Sequence, residues 1–510
     1  MNASAVLSVL VAFLPAQVPP PTSSAKASEP LRVKKRLALE EEEKQLRALA
    51  DRLDTAGQKE AAELVRDALP ALPPSDGSER FVSIPEVVPA RKPAPKDAPS
   101  WQKERDAIRS RAAKELFEVA TQATASEPRH YALADSCLRG VLVRQPDHAE
   151  ARRLLGQVPY NGGWATPYAV GQFRKGKVPH PVFGWVKATW VPHLVQEELP
   201  APVGAGVGRE RWLPAAEADA LRRDFARGWG IDTEHFSIQT NVPLSEAISF
   251  GRHLETLHEV FESLFADVLA ERSSLAQRFR SKTMVGEHTT EPHVVSYFAT
   301  RQEYAEAVSV FTDVDANVSL GYYHPPQGKG ARRGRAYFFR DEGGVLEATA
   351  TLFHEGSHQL LFESGVATSS AFHNNAGNYW VFEGLGCYFE TLVIHEDGSV
   401  GIGGLIGARN VEARKRLLKP GELTPLANFV GYDQNTFNSD SVIVRHYLQA
   451  SAFATFLMHG AHERYRDGFL DYVKDACQGR LRRTSGRTLE ARLETTYPDL
   501  QAELVAYLRQ

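Results

Sequence analysis

Three cysteines in 510 residues, Cys137, Cys387 and Cys477, are too few, too scattered and odd in number for a disulfide framework. They also lack the paired spacing of a structural zinc site built on thiolates. An excess of one charge is missing as well: 59 Lys and Arg against 63 Asp and Glu leave a net charge of −4. A dedicated nucleic-acid binder carries a basic excess, and no RNA- or DNA-binding motif is present, so no nucleic-acid partner is expected. Long apolar runs are absent. The N-terminal run Ala5 to Leu14 falls short of the roughly 20 residues that span a bilayer. It suits the apolar core of a secretory signal, with Ala16 at the cleavage position, although no Lys or Arg precedes it. The expectation is a signal peptide over 1–16 and a mature chain outside the cytoplasm, periplasmic or secreted, with no transmembrane segment.

What is present reads as ordinary globular protein, 43% hydrophobic and 24% charged. The length calls for about two to four domains. Residues 31–69 have the period of charged helices, with Leu39, Leu46, Leu49 and Leu53 at helical intervals and Gly57 as a break. The run Glu40 to Glu43 is expected on a solvated face. Residues 70–100 hold eight prolines and few large apolar groups, which predicts an extended, mobile linker. Residues 101–157 are helical, and "QPDHAEARRLLG" resembles part of a tetratricopeptide-type unit. One unit does not make a solenoid, which needs about three repeats, so a helical hairpin packed on its neighbour is expected. Residues 158–235 are rich in Gly, Pro and Trp and predict short strands and turns. Trp164, Trp185 and Trp190 suit a sugar or peptide platform or a small local core. A catalytic core is placed at 236–404 and a helical subdomain at 405–510.

Chemistry concentrates in "TLFHEGSHQLLFES" (Thr351 to Ser364). Residues four apart share a helix face, so His354 and His358 present adjacent imidazoles suited to a zinc ion about 2.0–2.1 Å from each nitrogen. Glu355 stands one position round, where it can take a proton from metal-activated water. The helix is otherwise apolar (Leu352, Phe353, Leu360, Leu361, Phe362), and three polar groups buried there are costly unless satisfied. Catalytic zinc usually has a third protein ligand. The metzincin continuation would need Gly and His where Leu361 and Ser364 stand, which excludes it. The next candidate is Glu383 in "NYWVFEGLGCYFET", another apolar helix. Gly384 and Gly386 there are poor helix formers whose small size would let this helix approach the first closely.

HExxH followed by "WVFEGLGCYFE" resembles the gluzincin metallopeptidases, the class of thermolysin and aminopeptidase N. The stretch 231–460 resembles more closely a bacterial domain family of unknown function with a peptidase-like fold, through "HFSIQTN", "GYYHP", "AYFF", "TLFHEGSHQL" and "WVFEGLGCYFE". The resemblance implies an α+β, thermolysin/gluzincin-like catalytic domain: a small mixed sheet, zinc helices and a C-terminal helical subdomain, preceded by helical N-terminal segments. It implies Zn2+ held by His354, His358 and Glu383, with Glu355 as general base. It further implies Tyr447, in "RHYLQASAFATFL", as oxyanion donor, with His446 as the neighbouring alternative. Glu390 lies two turns beyond Glu383, placed either to hold a zinc histidine or to line the cleft. Aminopeptidase N relatives carry a G-x-M-E-N stretch that this chain lacks, so aminopeptidase activity is not implied. The strand "RAYFF" is instead a candidate for pairing with an extended substrate.

Three functions follow as expectations. The first is an exported zinc peptidase acting on a peptide or protein. The second is a non-catalytic envelope protein whose N-terminal helical segments bind a protein partner and whose peptidase-like domain is a scaffold. The third is a zinc hydrolase of another acyl substrate.

Overall fold

A computed structural model describes residues 24–69, 78–92, 97–202, 211–269, 274–281, 291–311, 320–326, 333–340, 345–368, 377–396, 398–405, 407–481 and 487–510. Residues 1–16, where a signal peptide is expected, the basic loop 327–332 and the loop 369–376 lie outside the described residues. The architecture is mixed α+β.

Its centre is a five-stranded sheet: β1 (Trp229–Asp232), β2 (Phe236–Thr240), β3 (His293–Phe298), β4 (Gly321–His324) and β5 (Arg335–Phe339), in the order β4-β5-β3-β2-β1. β2, β3 and β5 run parallel to one another, and β1 and β4 close the two ends antiparallel. In β2 the buried Phe236, Ile238 and Thr240 alternate with half-buried Ser237 and Gln239. β3 and β5 are buried along almost their whole length, as strands covered on both faces must be. The sheet therefore begins at Trp229, seven residues before the boundary expected at 236. β5 is interior, flanked by β4 and β3, so its backbone is committed on both sides and substrate cannot add to "RAYFF".

The helix Leu244–Leu264 covers the sheet with Leu254, Leu257, Val260, Phe261 and Leu264, all buried, and Phe265 continues that stripe. Three further helices form the centre of the site: the histidine helix Val345–Glu363, the glutamate helix Tyr379–Phe389 and the tyrosine helix Ile443–Glu463. One hydrophobic core runs from Phe81 and the sheet through all three helices to Leu508. The boundary expected at 404/405 is thus no break in packing. Among the described residues no helix is long and apolar enough to cross a membrane.

The N-terminal layer corrects two expectations. Ser24–Thr55 and Lys59–Arg66 are helices joined at Gly57, whose φ of +76° suits glycine. Ser24–Thr55 packs on the helix Ser100–Ala125, which packs in turn on the helix Tyr131–Arg144. The Glu40–Glu43 run is not uniformly solvated: Glu42 is 3% exposed and paired with buried Arg144. The reason is its register, four residues from both Ala38 and Leu46 on the buried stripe. The proline-rich segment is not a free linker either. Ser78–Phe81 pairs antiparallel with Val400–Gly403, and Val87–Val88 pairs with Gly163–Ala165. The hairpin Tyr131–Leu154 packs through Leu138 and Leu154 against Leu275 and Ala276. Residues 158–235 supply short hairpins in which Trp164, Trp185 and Trp190 are half-buried, while Trp229 is buried in the central sheet. Trp185 donates to Glu86 at 2.7 Å, Trp164 to Asp147 at 3.3 Å, and Trp190 meets Trp212 edge-on.

The buried Glu42–Arg144 pair yields a prediction. Glu42→Ala strands a buried guanidinium and should destabilise the protein by about 3–5 kcal/mol, whereas exposed Glu40→Ala should change stability by less than about 0.5 kcal/mol. Chemical denaturation of the two variants checks this; equal, small effects would restore the solvated reading.

Candidate metal centre

The glutamate helix reaches the histidine helix at one glycine. A Cβ added to Gly386 would lie 2.6 Å from both Nε2 and Cε1 of His354, inside any allowed contact. No other residue type leaves room for that imidazole. Gly384 has a different neighbour: its added Cβ would lie 3.1 Å from the Ala450 carbonyl oxygen on the tyrosine helix. Of the two glycines expected to admit the histidine helix, only Gly386 does so. Gly384 seats the third helix.

This approach brings His354, His358 and Glu383 together, with one donor atom of each within 4.8 Å of the others. All three are buried. The two imidazole centroids are 4.6 Å apart at 74°, and His354 Nε2 lies 3.3 Å from Glu383 Oε2. Two ligands at 2.0–2.1 Å on a tetrahedral zinc stand about 3.3–3.4 Å apart, so this spacing is that of a coordination edge. Phe382 stacks on His358 with centroids 3.7 Å apart and fixes its ring. The donor set, two imidazoles and a carboxylate, suits zinc.

Glu390 caps the glutamate helix and accepts from His354 Nδ1 at 2.8 Å. It thereby holds the tautomer that leaves Nε2 toward Glu383. Arg409 in turn clamps Glu390 with two hydrogen bonds, Nε to Oε2 at 2.8 Å and Nη2 to Oε1 at 2.9 Å. Of the two roles expected for Glu390, the histidine-holding one matches this geometry. Glu355 is half-buried, with Oε2 3.7 Å from His358 Nδ1. β4 lies against it, since a Cβ on Gly321 would meet Glu355 Cγ at 2.9 Å.

The electrostatics demand positive charge here. Burial alone would raise the Glu383 carboxyl. Hydrogen bonding from His354, the two histidine charges and the Tyr379 hydroxyl outweigh burial and hold it at about 2. Burial also works against charge on His354, yet bonds to Cys387, Glu383 and Glu390 raise its pKa well above the ordinary histidine value.

The tyrosine helix delivers Tyr447, half-buried beside Glu383. Burial and the Glu383 charge raise its pKa well above 10, so its hydroxyl keeps its proton and remains a donor. His446 faces the other way. It is 2% exposed, donates Nδ1–H to the Phe437 carbonyl at 2.9 Å and packs among Phe429, Tyr432 and Phe437. It is a core residue.

Three participants escaped the sequence reading: Tyr379, Cys387 and Arg409. Tyr379 sits one turn before Glu383 and Cys387 one turn after it, so helical spacing was the available signal. Arg409 carried none. Cys387 with His354 and Glu390 makes a second possible donor group. Two facts count against it. Glu390 is already chelated by a guanidinium that would face the ion, and burial together with the Glu390 charge raises the Cys387 thiol, disfavouring the thiolate a metal needs.

Residues 348–480 match a family model described as "Protein of unknown function (DUF1570)". The matched stretch contains His354, Glu355, His358, Glu383, Glu390, Arg409 and Tyr447, and leaves out the sheet and the N-terminal layer. No curated protein matches the chain.

The Gly386 contact gives the second prediction. Gly386→Ala should displace His354, cost about 1–3 kcal/mol through overpacking and lower bound zinc after loading. Gly384→Ala should perturb stability while keeping the zinc. Thermal melting and metal analysis of the two variants decide; full zinc content in Gly386→Ala would contradict the account.

Proposed function

We propose that the chain is an exported zinc-dependent peptidase of the gluzincin type. The observation that carries the reading is convergence: His354, His358 and Glu383 meet at one point with Glu355 and Tyr447 beside it. A scaffold protein has no need to bury two histidines against two carboxylates.

A zinc ion held by the three ligands would supply a water whose pKa falls to about 7. Glu355 stands where a water's proton can be taken up and later given to the departing amine. Tyr447, kept protonated by its surroundings, donates to the oxyanion that forms at the attacked carbonyl. Glu390 and Arg409 hold His354 in the tautomer this requires. The neighbourhood of Glu355 favours a peptide over other acyl substrates. The strand β4 lies directly against it, and an extended chain is the natural neighbour of a strand.

The purified protein should carry about one zinc per chain. Glu355→Gln should keep that zinc and lose about 10²–10⁴-fold in turnover of an unstructured, fluorogenic protein substrate. Tyr447→Phe should lose about 10²–10³-fold with zinc retained. Undiminished hydrolysis by Glu355→Gln would remove it as the base, and a chain that binds no zinc would remove the reading altogether.

A further inference from the structure

The Glu383 carboxylate has two oxygens, and they are treated differently. Oε2 is the one 3.3 Å from His354 Nε2. Oε1 accepts the Tyr379 hydroxyl at 2.7 Å. Tyr379 and Glu383 are four residues apart on one helix, so the contact is built into the helix itself.

The Tyr379 hydroxyl has a single proton and two acceptor lone pairs. The Gln434 amide donates to its oxygen at 3.5 Å, and the Asn438 amide acts on the hydroxyl in the same sense. With those amides so placed, the phenolic proton is directed to Glu383. The ring is 6% exposed and packs edge-on against Phe437 at 5.4 Å, which removes its freedom to swing away. Its backbone N–H is also tied, to the Tyr432 carbonyl at 3.1 Å. Tyr447 also lies beside Glu383, but it is half-buried and its ring lies beneath the Arg409 guanidinium, with no amide pair fixing its hydroxyl among the described contacts. Two phenols therefore meet one carboxylate on unequal terms.

We infer that Tyr379 is a positioning residue that occupies Oε1 of Glu383 and leaves Oε2 as the single oxygen for the metal, with Gln434 and Asn438 setting its hydroxyl. Tyr447 is then the phenol left to serve the substrate. The inference rests on the zinc-site reading above and adds a division of labour between the two tyrosines. It also gives the 434–438 segment a purpose at the site that its distance in sequence conceals.

Zinc affinity, measured by competition with a chromophoric chelator on the full chain, tests it without using activity. Tyr379→Phe removes one oxygen atom and should weaken zinc binding by about 10–100-fold, the usual consequence of losing an outer partner of a metal ligand. Gln434→Ala should weaken it in the same direction by less. In the double variant Gln434→Ala should add nothing, because it acts through the missing hydroxyl. Circular dichroism and melting of each metal-free variant separate this from unfolding, and Gln434→Ala keeps the test available if Tyr379→Phe does not fold. Unchanged affinity in a folded Tyr379→Phe, or full additivity in the double variant, overturns the positioning role while leaving the zinc site intact. Failure of the unaltered protein to bind zinc overturns both.

Discussion

The contact between Gly386 and His354 is the constraint on which the site depends. Two helices can share a metal only if their backbones come close enough for side chains from both to meet within a coordination sphere. The glutamate helix achieves this by presenting hydrogen where every other residue has a carbon. The cost is a helix weakened by two glycines, about 1 kcal/mol each relative to alanine. It is offset by burial: Trp380, Val381, Leu385, Tyr388 and Phe389 are all at 2% exposure or less. Packing against the histidine and tyrosine helices, not intrinsic propensity, holds this segment helical.

Charge buried this deeply needs partners at every step, and the partners form connected sets. At the candidate metal position the set runs from Arg409 through Glu390 and His354 to Glu383 and Tyr379. A second set begins on the same glutamate helix. Tyr388 meets His459 Nε2 at 2.8 Å, and Arg466 donates to His459 Nδ1 and to Glu79. Burial and the Arg466 charge bring the His459 pKa down to about 4, so that ring is neutral and donates to Tyr388. Arg32, on the first helix, then bonds Glu463 and Asp467. The N-terminal layer is thus wired, through partly buried ion pairs and hydrogen bonds, to the helix that carries Glu383. Breaking one member of such a set is far more damaging than its net contribution suggests, because it strands its neighbours.

The readable parts of the sequence were the local ones. His354, Glu355 and His358 announce themselves by spacing, and the alternation of Phe236, Ile238 and Thr240 announces a strand, because both depend on residues a few positions apart. The helix around Glu383 was legible as apolar and glycine-bearing. What could not be read depended on distant partners. Glu42 looked solvated until Arg144, 102 residues on, came to meet it. Ser78–Phe81 looked like linker because its pairing partner lies beyond residue 399. "RAYFF" looked like an open strand because nothing local says that β3 and β4 flank it. His446 and Tyr447 could not be told apart in sequence; the helix turns one into the Phe429–Phe437 core and the other toward Glu383. Arg409 and the amides of Gln434 and Asn438 gave no local signal, since their roles exist only once three helices have packed.

Two donor groups share His354, and they differ in kind: one is completed by His358 and Glu383, the other by the Cys387 sulfur and Glu390. X-ray absorption at the zinc edge of the loaded protein distinguishes them directly. Only nitrogen and oxygen neighbours at about 2.0–2.2 Å are expected, with imidazole scattering from two histidines. A sulfur neighbour at about 2.3 Å would place the metal on Cys387 and contradict the account.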